Sequence, residues 1–434
     1  MSWRNVDIAS LLLTLESGSR PKGGVSTDRG DIPSLGGENV LATGGVTLDN
    51  VNLVSTEFYS KMTKGRLQDG DVLINKDGAQ TGKVGLYHSP DGAPACINEH
   101  LFLLRGMPER VTQEYLYYLL LSDIGQKQIR AETSGSAQPG LKSGFVKKVV
   151  TSVPVDIREQ SKIAEILTTV DRAIEQTEAL IAKQQRIKTG LMHDLLTRGI
   201  DEHGNLRSES THKFKDSPLG RIPVEWDVKA VADTGSVDLG RQLSPKYMKS
   251  KTPTPYLRVA NVFDGWIDYS DVLEMDFTTV EKAKYMLRQG DVLLNEGQSR
   301  ELVGRSAIYR GPDNVYCFQN TLIRYRPYAN MRSEFAQVVF KLWLDTGVFA
   351  DVARQTTSVA HLGAGRFAKM LIPNPNEQEQ DRILSVFLPA DCVSTRYQDS
   401  LRKLRRIKTG LMQDLLTGRR RVTALLDQKD EVSA

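Results

Sequence analysis

The sequence predicts an α+β protein with two tandem mixed α/β domains, each followed by a long helix, the two helices pairing as an antiparallel coiled coil. Three observations predict this class. The dodecamer "RIKTGLMHDLLT" at 186–197 recurs as "RIKTGLMQDLLT" at 406–417, with eleven of twelve residues identical. Longer blocks that precede each copy also recur in the same order. Finally, apolar residues with three-and-four spacing run through both copies, which is typical of helices that pack on one another.

The composition is that of a globular protein with two or three domains. The chain has 434 residues, of which 40% are hydrophobic and 25% charged, and its net charge of +4 only weakly indicates a nucleic-acid partner. Three cysteines without paired spacing favour the reducing cytoplasm over a disulfide framework or a zinc cluster. We recognise no signal peptide and no apolar run near the roughly 20 residues that span a bilayer, so no membrane partner is expected.

Each globular part is predicted to be mixed α/β. "GDVLINKDGAQTGKVGLY" (70–87) resembles "GDVLLNEGQSRELVGRSAIY" (290–309), and "CINEHLFLLR" (96–105) matches "CFQNTLIRYR" (317–326). Their short apolar runs after Gly-Asp turns predict strands, and helical stretches follow each of them. A repeat of this length indicates two pseudo-equivalent domains and not a solenoid, whose period is much shorter.

The repeat divides the chain into six predicted segments. These are a first domain at 1–155, a central long helix at 156–198, a polar linker at 199–220, a second domain at 221–375, a C-terminal long helix at 376–417 and a charged tail at 418–434.

The two long segments are predicted to pair. About 40 helical residues extend roughly 60 Å, and two like helices can pair antiparallel so that a monomer imitates a symmetric dimer. Alternatively, each stripe packs only against its own domain. Pro389 is expected to kink or restart the second helix. Charged side chains such as Lys183, Arg186, Lys188 and Lys408 are expected to form a solvated or partner-facing surface. The predicted pairing residues are Ile163, Val170, Ile174, Ile181, Ile187, Leu191, Leu195, Ile383, Val393, Tyr397, Leu404, Ile407, Leu411 and Leu415.

With these motifs in place, the chain resembles the specificity subunits of type I restriction–modification systems over nearly its whole length. The resemblance rests on the domain–helix–domain–helix plan, the repeated dodecamer, the "GDVL.N" segments and "FKDSPLGRIPVEW" at 214–226. Each motif alone would be weak, but their order is specific.

The resemblance implies that each globular part is a target-recognition domain that reads one half of an asymmetric bipartite site in double-stranded DNA. The helices would set the spacer and dock two methyltransferase subunits. Those subunits would bring S-adenosylmethionine, and restriction (motor-nuclease) subunits would bring ATP and Mg²⁺. The chain itself would hold no cofactor and no metal, and it would be non-catalytic.

The residues agree with the absence of catalysis. "DGAQTGKV" (77–84) lacks the first glycine and the terminal Ser/Thr of a phosphate-binding loop, and we recognise no amino-methyltransferase motif. Asp69/Asp71 and Asp291/Glu296 follow turn chemistry more closely than paired nuclease carboxylates. The histidines lack metal-ligand spacing, so His88, His100 and His361 are interpreted as surface or DNA-contacting residues.

Three loops in each domain carry the side chains that read bases and phosphates: Arg or Lys for guanine, Asn or Gln for adenine, and small polar groups for phosphates. Glycine-rich polar loops are also what any surface turn looks like. The candidates in the first domain are Arg20, Lys22, Asn75, Lys76, Gln80, Thr81, Lys83, Ser134, Ser136, Gln138 and Lys142. Those in the second are Arg241, Gln242, Lys246, Asn295, Gln298, Ser299, Arg300, Arg305, Arg354, Thr356, Ser358 and His361.

The loops differ between the two domains while the helices do not, so we expect two different half-sites. Two other classes remain open. A coiled-coil interaction scaffold that does not bind DNA would show no salt-sensitive DNA affinity. A nuclease or methyltransferase acting alone would need a motif that we do not find.

Overall fold

The computed structural model describes residues 2–21, 30–135, 139–243, 253–355 and 358–426. The chain forms two compact units. The first unit comprises residues 1–179 and 399–434, and the second comprises residues 180–398. Each unit therefore holds one α/β domain together with a part of each long helix.

The first unit is built around strands that end in tight turns. Gly70 adopts a positive φ of 84° immediately before the strand that begins at Val72, which explains the glycine of the "GDVL" segment. The strands are β1 (Trp3–Asp7), β2 (Leu12–Ser17), β3 (Ile32–Leu35), β4 (Asn52–Val54), β5 (Val72–Asn75), β6 (Val84–Leu86), β7 (Cys96–Ile97), β8 (Leu101–Gly106), β9 (Thr133–Ser134), β10 (Gly140–Leu141) and β11 (Val150–Pro154). The helices are α1 (Thr56–Lys61), α2 (Gln113–Leu121), α3 (Asp123–Ala131) and the long α4 (Ile157–Thr197).

The second unit repeats this plan. Gly290 has a φ of 88° before the equivalent strand. The strands are β12 (Phe214–Ser217), β13 (Gly220–Pro223), β14 (Asp227–Ala230), β15 (Gly235–Leu239), β16 (Thr254–Leu257), β17 (Leu273–Met275), β18 (Val292–Asn295), β19 (Gly297–Gln298), β20 (Ser306–Ile308), β21 (Cys317–Phe318), β22 (Leu322–Pro327), β23 (Arg354–Gln355), β24 (Ala360–His361) and β25 (Leu371–Asn374). The helices are α5 (Val231–Thr234), α6 (Thr279–Tyr285), α7 (Ser333–Asp345), α8 (Val348–Val352), α9 (Ala364–Lys369) and the long α10 (Glu377–Leu415).

Three sheets of each unit correspond strand by strand, whereas the β12-β13 pair has no counterpart in the first unit and the sheet β19-β24-β23 has one strand more than β10-β9. The four-stranded sheet has the order β2-β8-β5-β6 in the first unit and β15-β22-β18-β20 in the second. A three-stranded sheet follows the same rule, β4-β3-β7 and β17-β16-β21, with one parallel pair in each. In each domain a two-stranded sheet also pairs a strand near the start of the domain with its last strand, β1 with β11 and β14 with β25. The two domains therefore share one topology, as the internal repeat predicted.

The long helices run antiparallel within each unit. In the first unit Lys408 Nζ lies 2.7 Å from Asp171 Oδ1, and Arg405 Nη2 lies 2.7 Å from Glu178 Oε1. Later residues of α4 thus pair with earlier residues of α10, as in an antiparallel pair. In the second unit Lys188 Nζ lies 2.5 Å from Asp391 Oδ1. The two long helices and their antiparallel pairing confirm the predicted fold class.

The end of each long helix is built into a domain core. Leu415 is buried in the core of the first unit together with Ile163, whereas Leu195 is buried in the core of the second together with Ile383. The carboxy-terminal end of each helix thus packs on the domain of the other repeat, which neither sequence-based alternative described. Leu191 and Leu411 pack at the edges of the same two cores.

The remaining predicted pairing residues are less buried. Ile187 and Ile407, which occupy the same place in the two dodecamers, are 48% and 50% exposed, and Val393 is 37% exposed. These three side chains face outward in the described part of the chain. Half-burial is found at the other predicted positions, Val170, Ile174, Ile181, Tyr397 and Leu404.

Two expectations about the helices need correction. Lys188 and Lys408 do not belong to a solvated surface, because their side chains are only 12% and 17% exposed and each is paired with an aspartate. Of the two effects expected of Pro389, a kink or a restart, the restart does not occur, because α10 continues as one helix from Glu377 to Leu415. Across the described residues, no helix combines the length and the hydropathy that a membrane crossing requires.

Candidate nucleic-acid interface

In each domain, the backbone of a buried asparagine closes the candidate loop that follows the "GDVL" strand. Asn75, at the end of β5, donates its backbone N–H to the carbonyl of Lys83 at 2.9 Å, and its own carbonyl accepts from the N–H of Gly82 at 2.7 Å. Asn295, at the end of β18, makes the same two bonds with Arg305 and Gly304, both at 2.9 Å. The loops 76–82 and 296–304 therefore leave the sheet from equivalent points.

The Gly-Asp motif that precedes these loops is structural. Asp71 is buried and accepts two hydrogen bonds from Arg105, at 2.6 and 2.7 Å. Asp291 accepts the same pair from Arg326. These hydrogen bonds raise the pKa of both arginines, so the guanidinium groups stay charged. Each carboxylate thus anchors neighbouring strands.

In the first domain, backbone and side-chain hydrogen bonds bring the three candidate loops together. Lys76 is the centre: its carbonyl accepts from the N–H of Leu141 at 2.7 Å, and its Nζ lies 3.1 Å from Ser17 Oγ. Gly78 donates to the carbonyl of Pro139 at 3.0 Å. We define the first loop surface as the described residues of 17–21, 76–82, 99–100 and 133–142.

In the second domain, a small sheet brings the loops 296–304 and 354–363 together, and Asn320 joins the loop 240–243 by donating its N–H to the carbonyl of Arg241 at 2.9 Å. Strand β24 pairs with β19 on one side and with β23 on the other. Glu296 extends the connection, because its carbonyl accepts from Leu362 at 2.8 Å and its N–H donates to Thr321 at 2.9 Å. The described residues of 240–243, 296–304, 320–321 and 354–363 form the second loop surface.

The individual candidates occupy three different environments. Arg241, Asn75 and Asn295 are buried, and Arg241 pairs with Glu281 at 2.8 Å and lies over the ring of Phe277. These three side chains are therefore turned away from solvent. The half-buried candidates are Lys76, Thr81, Lys83, Gln298, Ser299 and Arg305. The exposed candidates are Arg20, Gln80, Ser134, Lys142, Gln242, Arg300, Arg354, Ser358 and His361. Lys22, Ser136, Gln138, Lys246 and Thr356 lie outside the described residues.

The sequence analysis did not predict that two of its histidines each pair with a carboxylate. His100 Nδ1 lies 2.7 Å from Asp77 Oδ1 in the first loop surface, and His361 Nδ1 lies 3.0 Å from Glu296 Oε2 in the second. Glu99 adds an ion pair to Arg20 at 2.8 Å. The partners come from different parts of the chain, so their proximity is not visible in the sequence, and carboxylates can accept a hydrogen bond from cytosine.

The electrostatics of Arg305 differ from those of the exposed cations. Its guanidinium lies 4.8 Å from the ring centre of Phe263, and burial lowers its pKa. Phe263 in turn stacks on Trp266, whose side chain is 54% exposed. Among the described residues, no group of three or more His, Cys, Asp or Glu side chains is arranged to hold a metal ion.

Comparison with known proteins identifies a match in the first half of the chain. The model of the type I restriction modification DNA specificity domain matches residues 2–184. A putative type I restriction enzyme MjaX specificity subunit from Methanocaldococcus jannaschii is 25% identical over 47% of this chain, and the aligned part is about half, 48%, of that relative. The type I restriction enzyme MjaVIII specificity subunit of the same organism is 22% identical over 83% of this chain and 81% of its own length.

Solved structures with the same fold extend the comparison to both units. The type I restriction–modification S subunit from M. genitalium aligns with a TM-score of 0.58 at 15% identity, covering 96% of each chain. A structure from work on complex assembly and conformational transition of the type I restriction–modification system aligns with a TM-score of 0.55, also at 15% identity, and covers 96% of this chain and 98% of that one. The resemblance that the repeated motifs predicted is confirmed.

Proposed function

We propose that the chain is the sequence-specific DNA-binding subunit of a type I restriction–modification system. The match of residues 2–184 to the model of the type I restriction modification DNA specificity domain supports this proposal. Each loop surface reads one half of an asymmetric bipartite site in double-stranded DNA. One observation carries the proposal: three separate polar loops meet at equivalent edges of two domains that share one topology. Binding and recognition residues are typically carried by loops on a rigid scaffold of this kind.

The difference between the two loop surfaces supports two different half-sites. The first places Asp77 beside His100, whereas the second places Glu296 beside His361, and these histidines come from different loops. The loop 296–304 is also longer than the loop 76–82. Because base edges are read by the chemistry and position of individual side chains, the two surfaces select different base pairs.

The chain acts without chemistry of its own. The relatives are named specificity subunits. The most conspicuous carboxylates, Asp71 and Asp291, are engaged by arginines in the sheets. Methylation belongs to methyltransferase subunits that bind S-adenosylmethionine, and ATP hydrolysis and cleavage with Mg²⁺ belong to restriction subunits. The whole complex works in the cytoplasm, where the DNA lies.

Two methyltransferase subunits dock on the long helices. Ile187 and Ile407 are half exposed at equivalent positions, one in each unit. A single exposed isoleucine is ordinary on a protein surface, so the support comes from the recurrence of the two at equivalent positions of the repeated dodecamer. Two equivalent surfaces in one chain accommodate two copies of one partner.

A methylation map of the native genome, with this gene intact and deleted, tests the proposal. We expect a bipartite adenine-methylation motif that disappears on deletion. The assembled complex with its methyltransferase should also bind DNA carrying that motif with an affinity that falls steeply with salt, because phosphate contacts release counterions. An unchanged map together with salt-insensitive DNA affinity would instead favour a coiled-coil interaction scaffold.

A further inference from the structure

Glu296 and Gly297 hold the imidazole of His361 in one orientation. The Glu296 carboxylate is 16% exposed and accepts from Nδ1 of His361 at 3.0 Å. Gly297 lies directly across the strand pair from His361, and a Cβ at that glycine would approach the ring atoms to 3.2 Å. The ring therefore lies against a residue without a side chain, with its second nitrogen directed away from the carboxylate.

The backbone around this histidine is fixed as well. Glu296 is held on both sides, by Thr321 and by Leu362. The carbonyl of His361 accepts a 2.6 Å hydrogen bond from Nη2 of Arg366. A side chain held this firmly while 48% exposed is preorganised for a ligand and does not need to be ordered on binding.

A cationic side chain stands beside the oriented histidine. Arg354 is directly opposite His361 in the β23–β24 pair, so both side chains project from the same face of the small sheet. Arg354 is exposed. When the neutral imidazole donates its Nδ1–H to Glu296, its Nε2 is an acceptor, and the guanidinium offers donors.

We infer that His361, positioned by Glu296 and Gly297, reads one G·C base pair of the second half-site together with Arg354. Arg354 donates to O6 and N7 of guanine, and Nε2 of His361 accepts from the N4 amino group of cytosine. A G·C pair presents two acceptors on guanine and one donor on cytosine in the major groove. The donors of Arg354 and the acceptor of His361 complement these groups. This inference rests on the proposed function, and it assigns to named residues the reading of one base pair in the second half-site.

The test uses the native complex, with variants of the full chain placed in cells that carry the system's own methyltransferase. His361→Ala removes the acceptor, Glu296→Gln removes the charge that orients it, and Gly297→Ala pushes the ring from its place. We expect each to reduce discrimination at the same single base pair of the second half-site, by about tenfold for His361→Ala and by less for Gly297→Ala. The methylation map reads out every position separately.

Asp77→Asn is the matched control, because Asp77 orients His100 in the first loop surface by a contact of the same kind. This variant should leave discrimination in the second half-site unchanged. The inference would be overturned if the base preferences of the methylation motif were unaltered in all three second-domain variants. It would also be overturned if those preferences weakened equally at every position. A single affected A·T pair would overturn the assignment of the base. A wild-type complex without any bipartite motif would count against the proposed function itself.

Discussion

Lys408 pairs with Asp171 across the two long helices in the first unit, and Lys188 pairs with Asp391 in the same way in the second. Both lysines are the third residue of the repeated dodecamer. The helix ends that follow them pack into the two domain cores. The dodecamer recurs because each copy makes the same two attachments, one to the opposing helix and one to a domain.

We predict that reversing the charge of Lys408 destabilises the first unit. Lys408→Asp places a carboxylate beside Asp171 at a position where the lysine side chain is 17% exposed. The loss should be roughly 2–4 kcal/mol in the free energy of unfolding, because a half-buried charge then faces a like charge. Urea denaturation of the full chain, followed by circular dichroism, measures it.

The reciprocal variant makes that prediction specific. Adding Asp171→Lys restores the pair in the opposite sense and should recover most of the loss. Lys403→Asp, on an exposed position of α10, should change stability by no more than about 0.5 kcal/mol. If the double variant were as unstable as Lys408→Asp alone, the ion pair between the two helices would not be what stabilises the first unit at this position.

A second repeated contact leads to a second prediction. Arg207 pairs with the buried Glu379 at the start of α10, and Arg421 pairs with the buried Glu159 near the start of α4. Arg207→Met should cost roughly 3–5 kcal/mol, because it leaves Glu379 charged and desolvated. Thermal unfolding of the full chain with its methyltransferase reports the loss.

The two pairs should not be equivalent in energy. Arg421 is 32% exposed whereas Arg207 is 8% exposed, so water screens the first pair more strongly. Arg421→Met should therefore be the milder substitution, although the guanidinium also stacks over the ring of Trp3 at 5.6 Å. An equal or larger loss for Arg421→Met would contradict this ranking.

Periodicity made the helices and the duplicated topology predictable, since the spacing of apolar residues is local information. The role of Lys188 was not predictable in this way. Its partner Asp391 lies 203 residues further along the chain, so the lysine looked like any exposed helix charge until the fold brought the two together. The packing of Leu195 and Leu415 on the opposite repeat's domain likewise depends on the fold alone.

The candidate interface was predictable at the level of loops and less so at the level of side chains. Gly-rich polar stretches identified all three loops in each domain, and the structure brings the described parts of them together. Composition could not show that Asn75 and Asn295 turn inward, because an amide serves equally well as a base reader and as a buried hydrogen-bonding group. The orienting roles of Asp77 and Glu296 required the folded distances.

The cysteines should differ in reactivity. Cys392 is exposed on α10, whereas Cys96 and Cys317 are buried at equivalent positions. Burial raises the pKa of both buried thiols, that of Cys317 to about 12, so the reactive thiolate is suppressed near pH 8. Iodoacetamide followed by mass spectrometry should label Cys392 alone in the native chain and all three in urea. Equal labelling of Cys317 and Cys392 in the native chain would refute this prediction.

Docking of the two methyltransferase subunits should depend on the two exposed isoleucines, Ile187 and Ile407. Ile187→Asp and Ile407→Asp should each remove one methyltransferase subunit from the complex, and the double variant both, because a carboxylate cannot be buried in an apolar contact. Native mass spectrometry counts the subunits directly. Val280→Asp, at a valine that is 81% exposed on α6, is the matched control and should retain both. Loss of both subunits from either single variant would contradict independent docking surfaces.

Exchanging residues 1–155 for the first domain of another specificity subunit should change one half-site only. The junction falls just before α4 begins at Ile157, so the long helices and the second loop surface stay intact. The incoming domain must still accept Gln160, whose side chain donates to the carbonyls of Arg110 and Pro154, and must keep a tryptophan where Trp3 meets Arg421. With those contacts preserved, the methylation map should show a new first half beside an unchanged second half and spacer. A chimera that alters both halves, or neither, would show that the two loop surfaces do not read DNA independently.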